Sequence, residues 1–263
     1  MSVLYKIILN KLKEVEEQKE LVSIAQLQAS PLYRFTPPSL KTFLLDKTKT
    51  GIIAEHKRQS PSAGVINDKV NVEDVALGYE NAAVSGISIL TDSVFFGGKN
   101  DDLIAARKVV NTPILRKDFI IDSYQVHEAK AIGASAILLI AACLEKEKAK
   151  ELAELAKDIG LDVLMEIHEA EEIKIINKFV DIVGVNNRNL STFEVSLETS
   201  AELARKIPSK YVKISESGIY KTEDIEYLKT FGYQGFLIGE NFMRTDNPGE
   251  ACAQFSKKLK PRN

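Results

Sequence analysis

The sequence predicts an α/β fold, a closed (β/α)8 TIM barrel with a helical extension at its N-terminus. Two observations lead there. Eight short apolar runs of strand length alternate with amphipathic stretches of helical period. The chain has 263 residues, close to the roughly 250 usual for eight βα units, and one helix fits each crossover. The competitor is an open, doubly wound sheet. It would normally carry a G-x-G-x-x-G fingerprint after its first strand, and "HKRQSPSAG" is not one.

Taken in order, residues 1 to about 50 place Leu4, Ile8, Leu12 and Val15 at helical steps, which predicts extra helix packed on the barrel. No linker sets this stretch apart, so residues 1–263 read as a single domain. The strands follow: "GIIAEHK" (51–57), "GISILTD" (86–92), "PILRKDF" (113–119), "SAILLI" (135–140), "DVLMEIH" (162–168), "DIVGVNN" (181–187), "YVKISES" (211–217) and "GFLIGE" (235–240). Between them, Asp122 opens a helix that Gly133 stops, Thr222 precedes one that Gly232 stops, and Asn247 with Pro248 starts the last.

Composition narrows the function. With 35 Lys+Arg against 37 Asp+Glu, the net charge is −2, and nothing global points to nucleic acid or an anionic membrane. Cys143 and Cys252 lack metal-like spacing and make no disulfide framework, which suggests a reducing, cytoplasmic compartment. Neither thiol is expected at a strand end. The N-terminus has no apolar run of signal length, and no stretch reaches the roughly 18 apolar residues of a membrane span. Small-molecule chemistry therefore moves up among the possible functions. The oligomeric state is left open, a monomer included.

In such barrels the chemistry lies at the C-terminal ends of the strands, where the βα loops form one mouth. The polar residues there are Glu55 and Lys57, Lys117 and Asp118, Glu166, Asn186 and Arg188, Glu216 and Ser217, and Gly239 with Glu240. Glu55 and Lys57, two apart in a strand, point the same way. Each has an ordinary explanation alone: Glu55 and Lys57 as a local ion pair, Lys117 paired with Asp118 or Glu166, Asn186-Asn187 as a turn, Arg188 as a solvated charge. Their joint arrival at one rim favours chemistry, because buried mixed charges perturb one another's pKa values. Gly218 and Gly239 follow strands seven and eight, where this fold commonly binds phosphate.

The segments "IIAEHKRQSPSAG", "ISILTDSVFFGG", "PILRKDFIIDSYQVHEAKAIGASAILLIAACL", "LMEIHE", "VGVNNRNLSTFEV", "SESGI" and "FLIGENFM" resemble the motifs of the indole-3-glycerol-phosphate synthases of tryptophan biosynthesis, in order and spacing. The match spans about residues 50 to 245. "RKDFIID" together with "NNRNL" sets it apart from other phosphosugar barrels. The resemblance implies conversion of 1-(2-carboxyphenylamino)-1-deoxyribulose 5-phosphate to indole-3-glycerol phosphate, carbon dioxide and water, with no metal or organic cofactor. Lys117 would be the general acid at the substrate carbonyl, and Glu55, Lys57 and Glu166 would handle the remaining proton transfers. Asn186 would hold the hydroxyl region, Arg188 the carboxyl end, and Ser217 with Glu216 would complete the wall. Phe96, Phe119, Pro61 and Leu138 would surround the aromatic ring, and Ser60, Gly218 and Gly239 with the adjoining Glu240 would form the phosphate end. Two positions depart from common members. His56 sits between Glu55 and Lys57 and is expected to face away from the mouth. Glu240 stands where others carry a small residue, and its carboxylate is expected to point outward.

Two other enzymes compete on the residues alone, a phosphoribosyl isomerase and a Schiff-base aldolase using Lys117 or Lys57. A non-catalytic scaffold barrel is the alternative of a different class. It would have been free to lose Lys117 or Glu166.

Overall fold

The computed structural model describes residues 2–190 and 192–260. Eight parallel strands close into a barrel in sequence order: β1 (Ile52–His56), β2 (Gly86–Leu90), β3 (Ile114–Lys117), β4 (Ala136–Ile140), β5 (Asp162–Ile167), β6 (Ile182–Asn186), β7 (Val212–Glu216) and β8 (Gly235–Ile238). Closure is made by β8 on β1, where Ile53 sits opposite both Leu237 and Gly86 of β2. Each strand falls inside the run expected for it. The observed strands are shorter because the polar ends leave the ladder to form the rim.

Two apolar layers follow from the period of two in each strand. Outward side chains such as Ile52, Ile87, Ile137 and Val183 pack under the helices. Inward ones such as Ile53, Leu115, Leu164 and Ile214 fill the barrel. The inner layer is completed from outside the sheet, by Leu40 and Leu44 of the short helix Leu40–Leu45, both fully buried. They lie against Gly86 and Gly235, the first residues of β2 and β8, so this helix plugs the N-terminal end.

Local capping chemistry explains several helix starts. Asn71 caps Val72–Asn81, and Asp122 caps Ser123–Ala131 in a capping box with Gln125. Asn247 caps Pro248–Lys257, with proline at the position that needs no donor. One start differs from expectation. Lys221, not Thr222, is the N-cap residue of Thr222–Lys229, and the Asp224 carboxylate takes the amides of Tyr220 and Lys221.

The N-terminal helix, Val3–Leu21, corrects the expected stripe. Its buried residues are Ile7, Lys11 and Val15, whereas Leu12 is 51% exposed. The helix is rotated because Lys11 reaches Asp92 and Asp118, which an apolar pattern counts as a surface position. No described helix is long and apolar enough to cross a membrane.

Candidate active site

Of the residues expected at the mouth, sixteen line one cavity at the C-terminal ends of the strands, Glu55, Lys57, Ser60, Pro61, Phe96, Lys117, Phe119, Leu138, Glu166, Asn186, Arg188, Glu216, Ser217, Gly218, Gly239 and Glu240, and the seventeenth, Asp118, borders it while its carboxylate turns away. At its centre is Lys117. Its Nζ lies 2.7 Å from Glu216 Oε2 and 3.2 Å from Glu166 Oε2. Beside it Lys57 Nζ, from the residue directly after β1, is 2.6 Å from Glu55 Oε1, as expected for residues two apart in extended chain. Three buried carboxylates therefore face two ammonium groups.

Space for these carboxylates comes from glycine. A Cβ on Gly184 of β6 would stand 2.3 Å from Glu216 Oε1, and one on Gly239 would stand 2.6 Å from Glu55 Oε1. Gly184 lies in "DIVGVNN", and its place here was not expected from the sequence. Ser217 follows β7 in the left-handed region, φ 67°, where a residue with a side chain is uncommon. Its hydroxyl donates to Asn186 Oδ1 at 2.9 Å, which ties the ends of β6 and β7 together. Asn187 is a buried brace that donates to Ser215 Oγ and to the Ser217 carbonyl.

The electrostatics divide the carboxylates. Burial works against the charge on Lys117, but Glu216, then Glu166 and Glu55, outweigh it and raise its pKa. Lys117 is therefore an ammonium. Burial would also raise Glu166, yet Lys117, then His168 and the Asn186 side chain, hold it well below the usual carboxylate range. Glu55 is lowered too, with Lys57 and then Lys117 overcoming burial. Glu216 goes the other way: burial pushes it up to about 7, against Lys117 and helped by Glu166. Its Oε1 is buried with no hydrogen-bond partner among the described residues. The four groups titrate as one system, in which Glu216 is the carboxylate that accepts a proton.

His168, one residue past β5, was not expected to matter. Its Nε2 is 3.3 Å from Glu166 Oε1 and its Nδ1 is 3.5 Å from Glu172 Oε2, within ion-pair reach but off hydrogen-bond alignment. The two carboxylates outweigh burial and push its pKa up to about 10. Glu166 thus has two cationic neighbours.

Other expected pairings differ. Asp118 does not pair with Lys117; it is fully buried, 2.9 Å from Lys11 and 3.4 Å from Arg116, and it accepts from Thr91 Oγ1 at 2.5 Å. Neighbouring residues at a strand end point to opposite faces, which separates the two. Cys143 comes closer to a strand end than its context suggested, in the turn Ala141–Cys143 directly after β4. Burial, with Glu166 and Glu172 nearby, pushes its thiol up to about 12, so it is no thiolate nucleophile. His56 is buried, and burial next to Arg58 lowers its pKa to about 4. Glu240 stays at the rim instead of pointing clear of it. Arg244 holds its carboxylate at 2.6 Å and Arg188 reaches it at 3.7 Å.

At the apolar side, the Phe96 and Phe119 rings meet at 5.9 Å between centroids, tilted by 36°. Leu138 forms the floor below them, and Val3, Leu4 and Ile7 of the N-terminal helix close the wall. The cavity thus joins an apolar, aromatic pocket to a charged centre and a rim of loops seven and eight. It suits an anion carrying an aromatic ring, with groups able to move protons lying between its two ends.

Residues 4–255 match the family model described as indole-3-glycerol phosphate synthase. An indole-3-glycerol phosphate synthase of Bacteroides thetaiotaomicron is 48% identical over 258 residues, covering 98% of this chain and 99% of the relative. Among solved structures, a mutant tryptophan synthase alpha-subunit from Pyrococcus furiosus superposes with a TM-score of 0.61 at 18% identity, covering 80% of this chain and 98% of that one. KGPDC from Streptococcus mutans gives 0.60 at 12% identity, covering 78% and 95%. At such identities these structures share the fold alone.

Proposed function

The chain belongs to the indole-3-glycerol phosphate synthase family, and we propose that the charged cluster around Lys117 carries out the family's ring closure. The reaction takes 1-(2-carboxyphenylamino)-1-deoxyribulose 5-phosphate to indole-3-glycerol phosphate with loss of carbon dioxide and water. The single observation that carries the assignment of roles is the position of Lys117, a buried ammonium between Glu216 and Glu166.

Lys117 donates its proton to the substrate carbonyl oxygen as the ring carbon bearing the carboxylate attacks the carbonyl carbon. A carbon–carbon bond forms and the carbonyl becomes a hydroxyl. The carboxylate then leaves as carbon dioxide, and its bonding electrons restore the aromatic ring. In the last step the hydroxyl departs as water, which again needs an acid at the oxygen and a base for the proton released as the new ring gains its double bond. Lys57 and Glu55 are placed for one of these transfers and Glu166 for the other. Glu216 starts as the carboxylate that takes up a released proton and then relays it to Lys117, since its pKa of about 7 lets it exchange near neutrality. A charged lysine is a poor nucleophile, so the same geometry disfavours a Schiff-base aldolase.

The aromatic ring occupies the space between Phe96, Phe119, Pro61 and Leu138. Asn186 holds the hydroxyl region beside Ser217, and Arg188 binds the substrate carboxylate; its own contacts, 3.5 Å to the Phe193 carbonyl and 3.7 Å to Glu240, are long enough to exchange. Ser60 and the backbone amides at Gly218, Gly239 and Glu240 hold the phosphate, while the Glu240 side chain stays with Arg244. Two free thiols, Cys143 and Cys252, fit a cytoplasmic enzyme.

The test is direct: indole fluorescence should appear when the purified protein meets the carboxyphenylamino substrate. Silence would remove the reading. A substrate complex with its phosphate away from Gly218 and Gly239 would remove the phosphate assignment alone.

A further inference from the structure

Lys11 is fully buried, on the N-terminal helix whose Val3, Leu4 and Ile7 line the cavity. Its Nζ is 2.9 Å from Asp118 Oδ1, 3.1 Å from Asp92 Oδ2 and 3.0 Å from Glu14 Oε2. A lysine this far from water costs several kcal/mol in desolvation, and only close carboxylates return it. Here they do, and its pKa is raised because Asp118, Asp92 and Glu14 together outweigh burial.

What the two aspartates do with their remaining contacts gives this pin a purpose. Asp92 caps the short helix Ser93–Phe96, with Oδ1 accepting the Phe95 amide at 2.8 Å. Asp118 Oδ1 accepts the Phe119 amide at the same distance, 2.8 Å. Each aspartate therefore fixes the backbone that carries one of the two rings in the cavity wall. One turn before Lys11, Ile7 lines the same wall. The β7 and β8 loops, where the phosphate is assigned, take no part in these contacts.

We propose that Lys11 is a positioning residue for the aromatic end of the substrate, a pin by which the N-terminal helix holds the Phe96 and Phe119 rings in register. It touches no reacting atom. The proposal rests on the assignment of the aryl ring to those two phenylalanines.

In Lys11→Met the two ring-bearing segments lose their common tie, and the effect should be confined to one end of the cavity. The substrate KM and the inhibition constant of 2-aminobenzoate, a fragment carrying only the aryl end, should both rise about tenfold. The inhibition constant of inorganic phosphate should stay within about twofold, and kcat within about threefold. Lys11→Met leaves Asp92 without its cation, while Asp118 keeps Arg116, and the unpaired Asp92 could unfold the helix, so Lys11→Met with Asp92→Asn is measured alongside. The asparagine keeps the oxygen that caps Phe95 and removes one uncompensated charge. A purely structural lysine predicts lower thermal stability with unchanged constants per folded molecule, and that result overturns the proposal, as does equal weakening of 2-aminobenzoate and phosphate. Phe119→Ala separates the two levels. If it weakens 2-aminobenzoate and neither Lys11 variant does, the pin alone is wrong; if Phe119→Ala changes nothing, the aryl assignment fails and takes the pin with it.

Discussion

The two ends of the barrel are closed by opposite chemistry. At the N-terminal end Leu40 and Leu44 complete an apolar inner layer with Ile53, Leu115 and Ile214, and the polar contacts there, such as those of Ser39 and Lys41 with Asp162, lie outside that layer. At the other end Glu55, Lys117, Glu166 and Glu216 are shut in beside Lys11, Asp92 and Asp118. Apolar burial stabilises at little risk, whereas buried ion pairs roughly cancel their own desolvation and contribute little net stability. A barrel whose interior is apolar at one end and holds five mutually paired charged groups, Glu55, Lys57, Lys117, Glu166 and Glu216, at the other is using those groups for something other than stability. The difference teaches which substitutions should hurt folding and which should hurt chemistry.

The largest expected effect at the charged end, beside that of Lys117 itself, is on Glu166. Glu166→Gln should lower turnover by about 10² to 10⁴, the range for one positioned proton-transfer group. Thermal unfolding should move by only a few degrees, because His168 keeps Glu172 as a partner. Steady-state kinetics and a melting curve on the same preparation check it. Ordinary turnover in the folded variant would break the contrast between the ends.

Leu44→Ala probes the opposite end. Removing a fully buried leucine there should cost about 2 to 5 kcal/mol of stability, read by denaturant unfolding, with turnover per folded molecule within about twofold. A large loss of turnover without loss of stability would mean that the plug communicates with the mouth.

Much of this contrast was legible in the sequence. The polar residues at "AEHK", "RKDF", "LMEIH", "VNNRN" and "SESG" each end an apolar run, and strand alternation sends Glu55, Lys57, Lys117 and Glu166 into one space. What stayed hidden depends on the third dimension. Lys11 looks like a solvent position on an amphipathic helix, because the two aspartates that bury it lie 81 and 107 residues further along the chain. Leu12 was expected in its place for the same reason. Gly184 reads as an ordinary strand glycine until Glu216 of the neighbouring strand is set against it. His168 stands two residues past Glu166 and pairs with it, but its second partner, Glu172, comes beside it only through the turn Ala170–Ile175.

The smallest expected effect concerns pH. Glu216 is raised from 4.5 to about 7, chiefly by burial. Between those values the folded state keeps a proton that the unfolded chain releases. This group's contribution to stability is therefore fully present below the unfolded value and is lost as pH rises through about 7. Turnover should move oppositely, falling by up to about tenfold per pH unit below that point as the exchanging carboxylate protonates. Glu216→Gln should flatten both dependences. A pH–rate profile and melting curves at pH 5 and 8 provide the comparison, and an unchanged acidic limb in the variant would assign that ionisation to another group.

The most direct measurement of the central claim, that the charged end exists to keep Lys117 an acid, is a single turnover. Lys117→Ala is mixed in excess with the carboxyphenylamino substrate, indole fluorescence is followed in time, and substrate binding is measured on the same variant. The expected result is a rate of ring closure lowered by about 10² to 10⁴, with binding weakened less than tenfold, since the aromatic wall and the phosphate end are untouched. A folded variant that closes the ring within about threefold of the unaltered protein would contradict the claim and pass the role of acid to Lys57.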